Sequence, residues 1–188
     1  MVTAGRTQVL HVVAVVGSVA AGNTDRLVAQ VLNAAAEEGA TTTTVHLGHG
    51  PLDPALIDDQ LKRVAGADAI VLGTPMYRAT YAGVLKDFLD RLHRGGPPED
   101  FASALRAKPV GVVATGGSDH HFLGVDPLIN LLVRFFAAYV VPPALYGSPA
   151  VSTDPGLEED AHRLGRALVA LAQAIKTDTR LSDARPQV

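Results

Sequence analysis

The chain of 188 residues contains no cysteine and no tryptophan, and aromatic residues make up only 5% of it. Without cysteine there can be no disulfide, no thiolate nucleophile, no iron–sulfur cluster on cysteine and no cysteine-type zinc site. A net charge of −3 gives no general pull toward nucleic acid or an anionic membrane, so neither is expected as a partner. No apolar run is long enough to cross a bilayer: the strongest candidate, Leu131 to Val141, contains Arg134 and is closed by Pro142-Pro143. Residues 9–21 share the layout of a secretion-signal core, with Arg6 ahead of them, but His11 interrupts the run. A cytoplasmic location is the expectation. Several catalytic signatures are absent too. There is no Gly-x-x-x-x-Gly-Lys-Ser/Thr, no Gly-x-Gly-x-x-Gly and no Gly-x-Ser-x-Gly, which removes the ATP/GTP cradle, the dinucleotide fingerprint and the hydrolase elbow.

What is present is apolar and β-branched: 47% of the residues are hydrophobic, and few of them are aromatic, so the core is built of Val, Leu and Ala. The length predicts one domain over 1–176 followed by a flexible tail over 177–188. The run Val9 to Val16 reads as a buried parallel strand, because such strands are continuously hydrophobic. It breaks into Gly17-Ser18-Val19-Ala20-Ala21-Gly22-Asn23-Thr24, after which a helical pattern starts at Asp25. Small residues, hydroxyls and the unpaired amides of a helix N-terminus suit an anion. With neither nucleotide fingerprint available, Gly17, Ser18, Asn23 and Thr24 fit a single terminal phosphomonoester such as that of flavin mononucleotide (FMN). The same residues also fit an ordinary capped strand-to-helix turn.

Strand and helix patterns then alternate. Thr41 to Leu47 reads as a polar strand near a sheet edge, and Asp53-Pro54 as the start of a helix that stops at Gly66. Asp68 to Gly73 is a second buried strand, with the loop Thr74 to Gly83 after it and a helix along Val84 to Leu92. Gly95 to Pro98 is a turn. Pro109 to Ala114 is the next strand, followed by Thr115-Gly116-Gly117-Ser118-Asp119-His120-His121. Asp126-Pro127 opens an apolar helix over Leu128 to Ala138. Tyr139 to Tyr146 reads as an edge strand broken by its two prolines, and Leu157 to Ile175 as the last helix. This alternation predicts an α/β fold: a doubly wound, five-stranded parallel sheet of order 2-1-3-4-5 with helices on both faces. Ligands bind such sheets at the carboxyl ends of the strands, where the order reverses. The three unusual loops follow strands one, three and four and would meet on one rim.

Their chemistry suits a flavin. Pro75, Met76, Tyr77 and Arg78 supply a rigid turn, an apolar wall and one aromatic ring. Thr115, Gly116, Gly117 and Ser118 supply backbone N–H groups for the ring edge that gains negative charge on reduction. His46 and His49, like the adjacent His120 and His121, complete no metal-ligand set, and none is expected.

The stretch Gly73 to Asp90, with its Thr74-Pro75-Met76-Tyr77 and Gly83-Val84-Leu85-Lys86, resembles the NAD(P)H-dependent FMN reductase family. Ala114 to Ser118 with His121 and Asp126 is similar to the branch that contains the alkanesulfonate-linked flavin reductases. The resemblance runs from about Val9 to about Ala150. It implies a flavodoxin-like fold and hydride transfer from NAD(P)H to FMN, with no obligatory catalytic side chain. It also implies a homodimer or homotetramer, with helices 83–94 and 128–138 partly buried between subunits, and reduced flavin passed to a monooxygenase partner. Quinone or azo reduction with retained FMN and a non-catalytic flavodoxin-like electron carrier are the alternatives. One departure stands out. Where the family places an arginine in the first loop, this chain has Val19-Ala20, and Arg26 lies one turn further on.

Overall fold

The computed structural model describes residues 9–48, 50–92, 104–149 and 154–184. His49 and the turn expected at Gly95 to Pro98 lie outside them. The chain order is β1 (His11–Val16), α1 (Asn23–Glu37), β2 (Thr41–His46), α2 (Ile57–Ala65), β3 (Ala69–Tyr77), β4 (Thr80–Tyr81) and α3 (Gly83–Arg91). It continues with β5 (Pro109–Thr115), a 3-10 segment (Asp119–Val125), α4 (Asp126–Asn130), a π turn (Leu131–Phe135), β6 (Tyr139–Val140), β7 (Leu145–Gly147) and α5 (Pro155–Thr177).

The parallel sheet runs β2-β1-β3-β5-β6, with β7 also pairing β5. That is the expected order 2-1-3-4-5, except that the fifth position is shared by two short strands. Pro142-Pro143, a cis pair, separates them. β6 pairs with the start of β5 and β7 with its end, so the prolines sit where no ladder bond is needed. The polar strand β2 is the other edge.

Strand alternation sorts the core onto two faces. Val13 and Val15 of β1 point to the side covered by Leu85, Phe88 and Leu89 of α3 together with Leu128 and Leu132. Val12, Ala14 and Val16 point to the side covered by α1 and α5. Gly165 makes that second layer close: a Cβ there would lie 2.3 Å from the Val31 carbonyl oxygen of α1.

Four elements differ from the sequence pattern. α2 begins at Ile57 rather than at Asp53-Pro54; the Asp53 carbonyl takes the amides of Leu56 and Ile57 in a preceding turn. β3 does not stop at Gly73 but continues through Pro75 to Tyr77, where it folds back antiparallel on β4. Pairing with β1 ends at Gly73, so beyond it β3 has lost one parallel neighbour and can accept a proline. The two-residue turn Arg78-Ala79 has positive φ at both positions, the geometry that matches strand twist, although neither residue is glycine. The apolar helix expected over 128–138 is a five-residue α4 followed by the π turn. After α5 a 3-10 turn over Thr179–Ser182 packs back: the Tyr139 hydroxyl donates to the Leu181 carbonyl at 2.8 Å, and Arg106 Nε donates to Ala184 O at 2.6 Å.

Candidate functional site

β1, β3 and β5 lie side by side, so the segments that follow them leave the sheet along one carboxyl edge. Contacts knit the three together. The Gly17 amide donates to Gly73 O at 2.8 Å, and a Cβ on Gly17 would sit 3.1 Å from the Leu85 Cβ of α3. Thr24 Oγ1 and Thr115 Oγ1 are 2.6 Å apart, joining the first loop to the third. Gly124, in the 3-10 segment after the third loop, abuts the β3–β4 turn; a Cβ on it would meet Ala79 O at 2.4 Å. The rim is one connected surface.

In the first loop the hydroxyls face the protein. Ser18 is buried and donates to Val19 O, and Thr24 is buried against Thr115. Asn23 Oδ1 accepts from the Arg26 guanidinium. What the loop offers an anion is therefore its backbone amides and Arg26, not its hydroxyls. Two amides are already taken, that of Gly17 by Gly73 O and that of Ala21 by a side chain. Asp25, in the first turn of α1, accepts the Ala21 N–H at 2.8 Å, and Ala21 has φ 63°. The other Asp25 oxygen lies 2.5 Å from His46 Nε2, at the end of β2. Burial pushes the Asp25 carboxyl up, but the His46 and Ala21 hydrogen bonds outweigh it and hold the group below its ordinary value.

In the second loop Met76 is buried while Tyr77 is 53% exposed, so a ring face is available at the rim. Pro75 is half-buried, and Arg78 is exposed at the tip of the turn. Thr74, fully buried, accepts the Ala82 amide at 2.9 Å and thereby fixes the approach to α3.

The third loop is pinned to the end of β7. Gly116 N donates to Gly147 O at 2.9 Å, the Tyr146 hydroxyl donates to Ser118 O at 2.5 Å, and the buried Ser148 hydroxyl donates to the Asp119 carboxylate. Tyr146, Ser148 and Asp119 carry no motif of their own, and proximity across the sheet is what links them to the loop. His121 Nδ1 is buried without a hydrogen-bond partner among the described residues.

A cavity of about 250 Å³ opens beside this rim, between α1 and the start of α5. Of the sequence-predicted residues it takes Asn23, Thr115 and Gly116; Arg26, Ser148 and Glu158 also line it. Gly17, Ser18, Thr24, Pro75 to Arg78, Gly117 and Ser118 do not line it. Among the described residues no group of three or more His, Asp or Glu side chains could hold a metal, and no helix is long and apolar enough to cross a membrane.

The profile of the NADPH-dependent FMN reductase family matches residues 10–152, which includes all three loops. The chain belongs to this family. An NADH-dependent FMN reductase of Pseudomonas putida is 35% identical over 120 residues, 62% of this chain and 60% of that protein. The chain thus spans well under two thirds of that relative's length. An iron–sulfur flavoprotein of Methanocaldococcus jannaschii is 30% identical over 185 residues, covering 82% of this chain and 93% of the relative. Among solved structures, an archaeal flavodoxin superposes with a TM-score of 0.65 at 17% identity, over 87% of this chain and 99% of the flavodoxin. The fold is flavodoxin-like.

Proposed function

We propose that this family member is an NAD(P)H-dependent FMN reductase that moves a hydride from NAD(P)H to FMN. The observation that carries the reading is the connected rim formed by the loops after β1, β3 and β5, all inside the matched family segment. The fit to a flavin can be judged from the chain itself. A Cβ at Gly117 would meet nothing within 4 Å among the described residues, so backbone stands open to a ligand there. Tyr77 offers a ring face, and the first loop offers amides at the start of a 15-residue helix.

When bound, the flavin supplies the hydride-accepting chemistry, and no side chain has to act as acid or base. The protein's part is placement. The amides of the loop from Ser18 to Thr24, apart from that of Ala21, would hold the phosphate, aided by Arg26. Pro75 and Tyr77 would form the wall of the ring site, with Met76 buried in the core beneath them. The backbone of Gly117 and Ser118 would face the ring edge that becomes electron-rich and stabilise charge there with little reorganisation, the Gly116 amide being already bonded to Gly147 O. Arg78, at an exposed turn tip, would meet a phosphate of the nicotinamide nucleotide.

The phosphate end favours an exchanging flavin over a retained one. The Asp25 carboxylate already occupies an amide of that loop and puts negative charge beside an incoming phosphate. FMN is then a substrate, and reduced flavin is released to a flavin-dependent monooxygenase. A quinone or azo reductase with tightly held FMN is the second enzymatic reading. This chain has no cysteine with which to ligate a cluster of the kind its iron–sulfur relative is named for.

The surface around the third loop supports self-association. Phe122, Leu123, Val133 and Phe135 are all exposed apolar residues of the segment 119–135. By contrast, the outer face of α3 carries the ion pairs Lys86–Asp90 and Asp87–Arg91. A homodimer or homotetramer in the cytoplasm would bury the first surface rather than the second.

NADH and NADPH oxidation, measured with and without added FMN, tests the reading. Turnover that requires added FMN supports it. Quinone or azo reduction by protein that keeps its flavin through purification supports the second reading, and no turnover with any acceptor leaves an electron carrier.

A further inference from the structure

The two glycines of the third loop are glycines for different reasons. A Cβ on Gly116 would lie 2.1 Å from the Tyr146 hydroxyl oxygen and 3.3 Å from the His121 Cβ, whereas a Cβ on Gly117 would meet none of the described residues within 4 Å. The loop therefore has a closed side, packed on β7, and an open side. On the closed side the Ser118 carbonyl is held from two directions: it accepts the Tyr146 hydroxyl at 2.5 Å and the His121 amide at 3.3 Å. A trans peptide sets its N–H opposite to its C=O. With the Ser118 oxygen held by Tyr146, the Asp119 N–H at the other end of that peptide points away from Tyr146.

We propose that Tyr146 is a positioning residue for the flavin: its hydroxyl keeps the Ser118 carbonyl off the ligand side of the rim and so presents the Asp119 amide to the ring edge that gains negative charge on reduction. This rests on the FMN reading above. A free peptide could rotate and present its carbonyl oxygen instead, which repels the reduced ring where an N–H attracts it. Burial, and the Asp119 carboxylate after it, push the Tyr146 phenol above its ordinary value, so it stays protonated and able to donate at neutral pH. Ser148, which holds the Asp119 carboxylate, fixes the neighbouring side chain but not this peptide.

The test compares binding of oxidised and reduced FMN, from the dissociation constant of the oxidised form and the midpoint potential of the bound flavin. Tyr146→Phe keeps the ring and loses only the hydroxyl. It is expected to weaken oxidised FMN by no more than about threefold and reduced FMN by about tenfold more, a fall of about 30 mV for a two-electron couple. Ser148→Ala is expected to change that ratio less than twofold.

A second pair of variants reads the amide itself. Asp119→Pro removes the N–H at the first position of the 3-10 segment, where Ser118 already has the extended geometry that precedes proline (φ −152°, ψ 158°). Measured against Asp119→Ala, which removes only the carboxylate, it should reproduce the tenfold loss for reduced flavin. A ratio unmoved in Tyr146→Phe, an equal shift in Ser148→Ala, or matching values for the two Asp119 variants overturns the proposal. If the unaltered protein binds FMN and the ratios do not move, this inference alone fails. If it binds no FMN, the functional reading falls and takes this one with it.

Discussion

The two edges of the parallel sheet use their polar groups in opposite ways. At the amino edge the charged groups are engaged in holding the fold together. Asp68 accepts the His11 amide at 2.8 Å with one oxygen and meets Lys176 Nζ at 2.8 Å with the other. Lys108 Nζ donates to the carbonyls of Ala65 at 2.6 Å and Val64 at 3.3 Å, closing the end of α2. At the carboxyl edge the side chains are also tied down, yet they tie down loops whose backbone is left facing outward. Tyr146, Ser148, Asp25 and Thr74 each fix a loop without filling the space in front of it. The presence of charge alone would not distinguish the two edges: the ion pair and lysine of the amino edge are structural.

The largest effect that would sharpen this contrast is on stability. Burial lowers Lys108 from its ordinary value to about 8, the nearby Asp68 acting against it. A lysine depressed in the folded state binds fewer protons than in the unfolded state between those two values, so stability rises with pH from about 8 to about 10.5. Chemical denaturation at pH 7 and pH 10.5 should show a gain on the order of 2 kcal/mol from this group, absent in Lys108→Met. FMN affinity at pH 7 should be the same in both proteins. A Lys108→Met protein with altered FMN affinity would break the division between the edges.

Next in size is the converse substitution. Gly117→Val places a side chain into open space, so thermal stability should hold to within about 0.5 kcal/mol. FMN affinity should fall about tenfold or more, because the branch occupies the ligand's side of the rim. A stable protein with unchanged FMN affinity would move the flavin off the third loop.

The smallest expected effect is a control on both. Asp90→Asn removes the exposed Lys86–Asp90 pair on α3 and should change stability by less than about 0.5 kcal/mol and FMN binding not at all.

Most of the architecture is legible in the sequence because it depends on local period. Continuous apolar runs such as Val12 to Val16 and Ile70 to Leu72 identify buried parallel strands, and their alternation with helices sets the sheet order. Local signals also mislead where a distant partner decides. Thr74-Pro75 reads as loop, but β5 and β4 hold it as strand through Tyr77. Tyr139 to Tyr146 reads as one broken strand, but β5 offers its start and its end as separate pairing sites. The three loops stand out through their glycines and hydroxyls. Their supports do not: Tyr146 reaches Ser118 across 28 residues, and His46 reaches Asp25 across 21. Nor does composition tell which hydroxyls point inward. Ser18 and Thr24 look like ligand contacts and are instead buried against neighbouring residues of the loop and rim.

Amide chemical-shift mapping during an FMN titration tests the central claim most directly. Shifts should concentrate in 17–24, 75–81 and 115–119, while residues 67–69, 106–109 and 176–182 at the opposite edge stay still. Shifts centred on the amino edge, or no saturable change at the three loops, would contradict it.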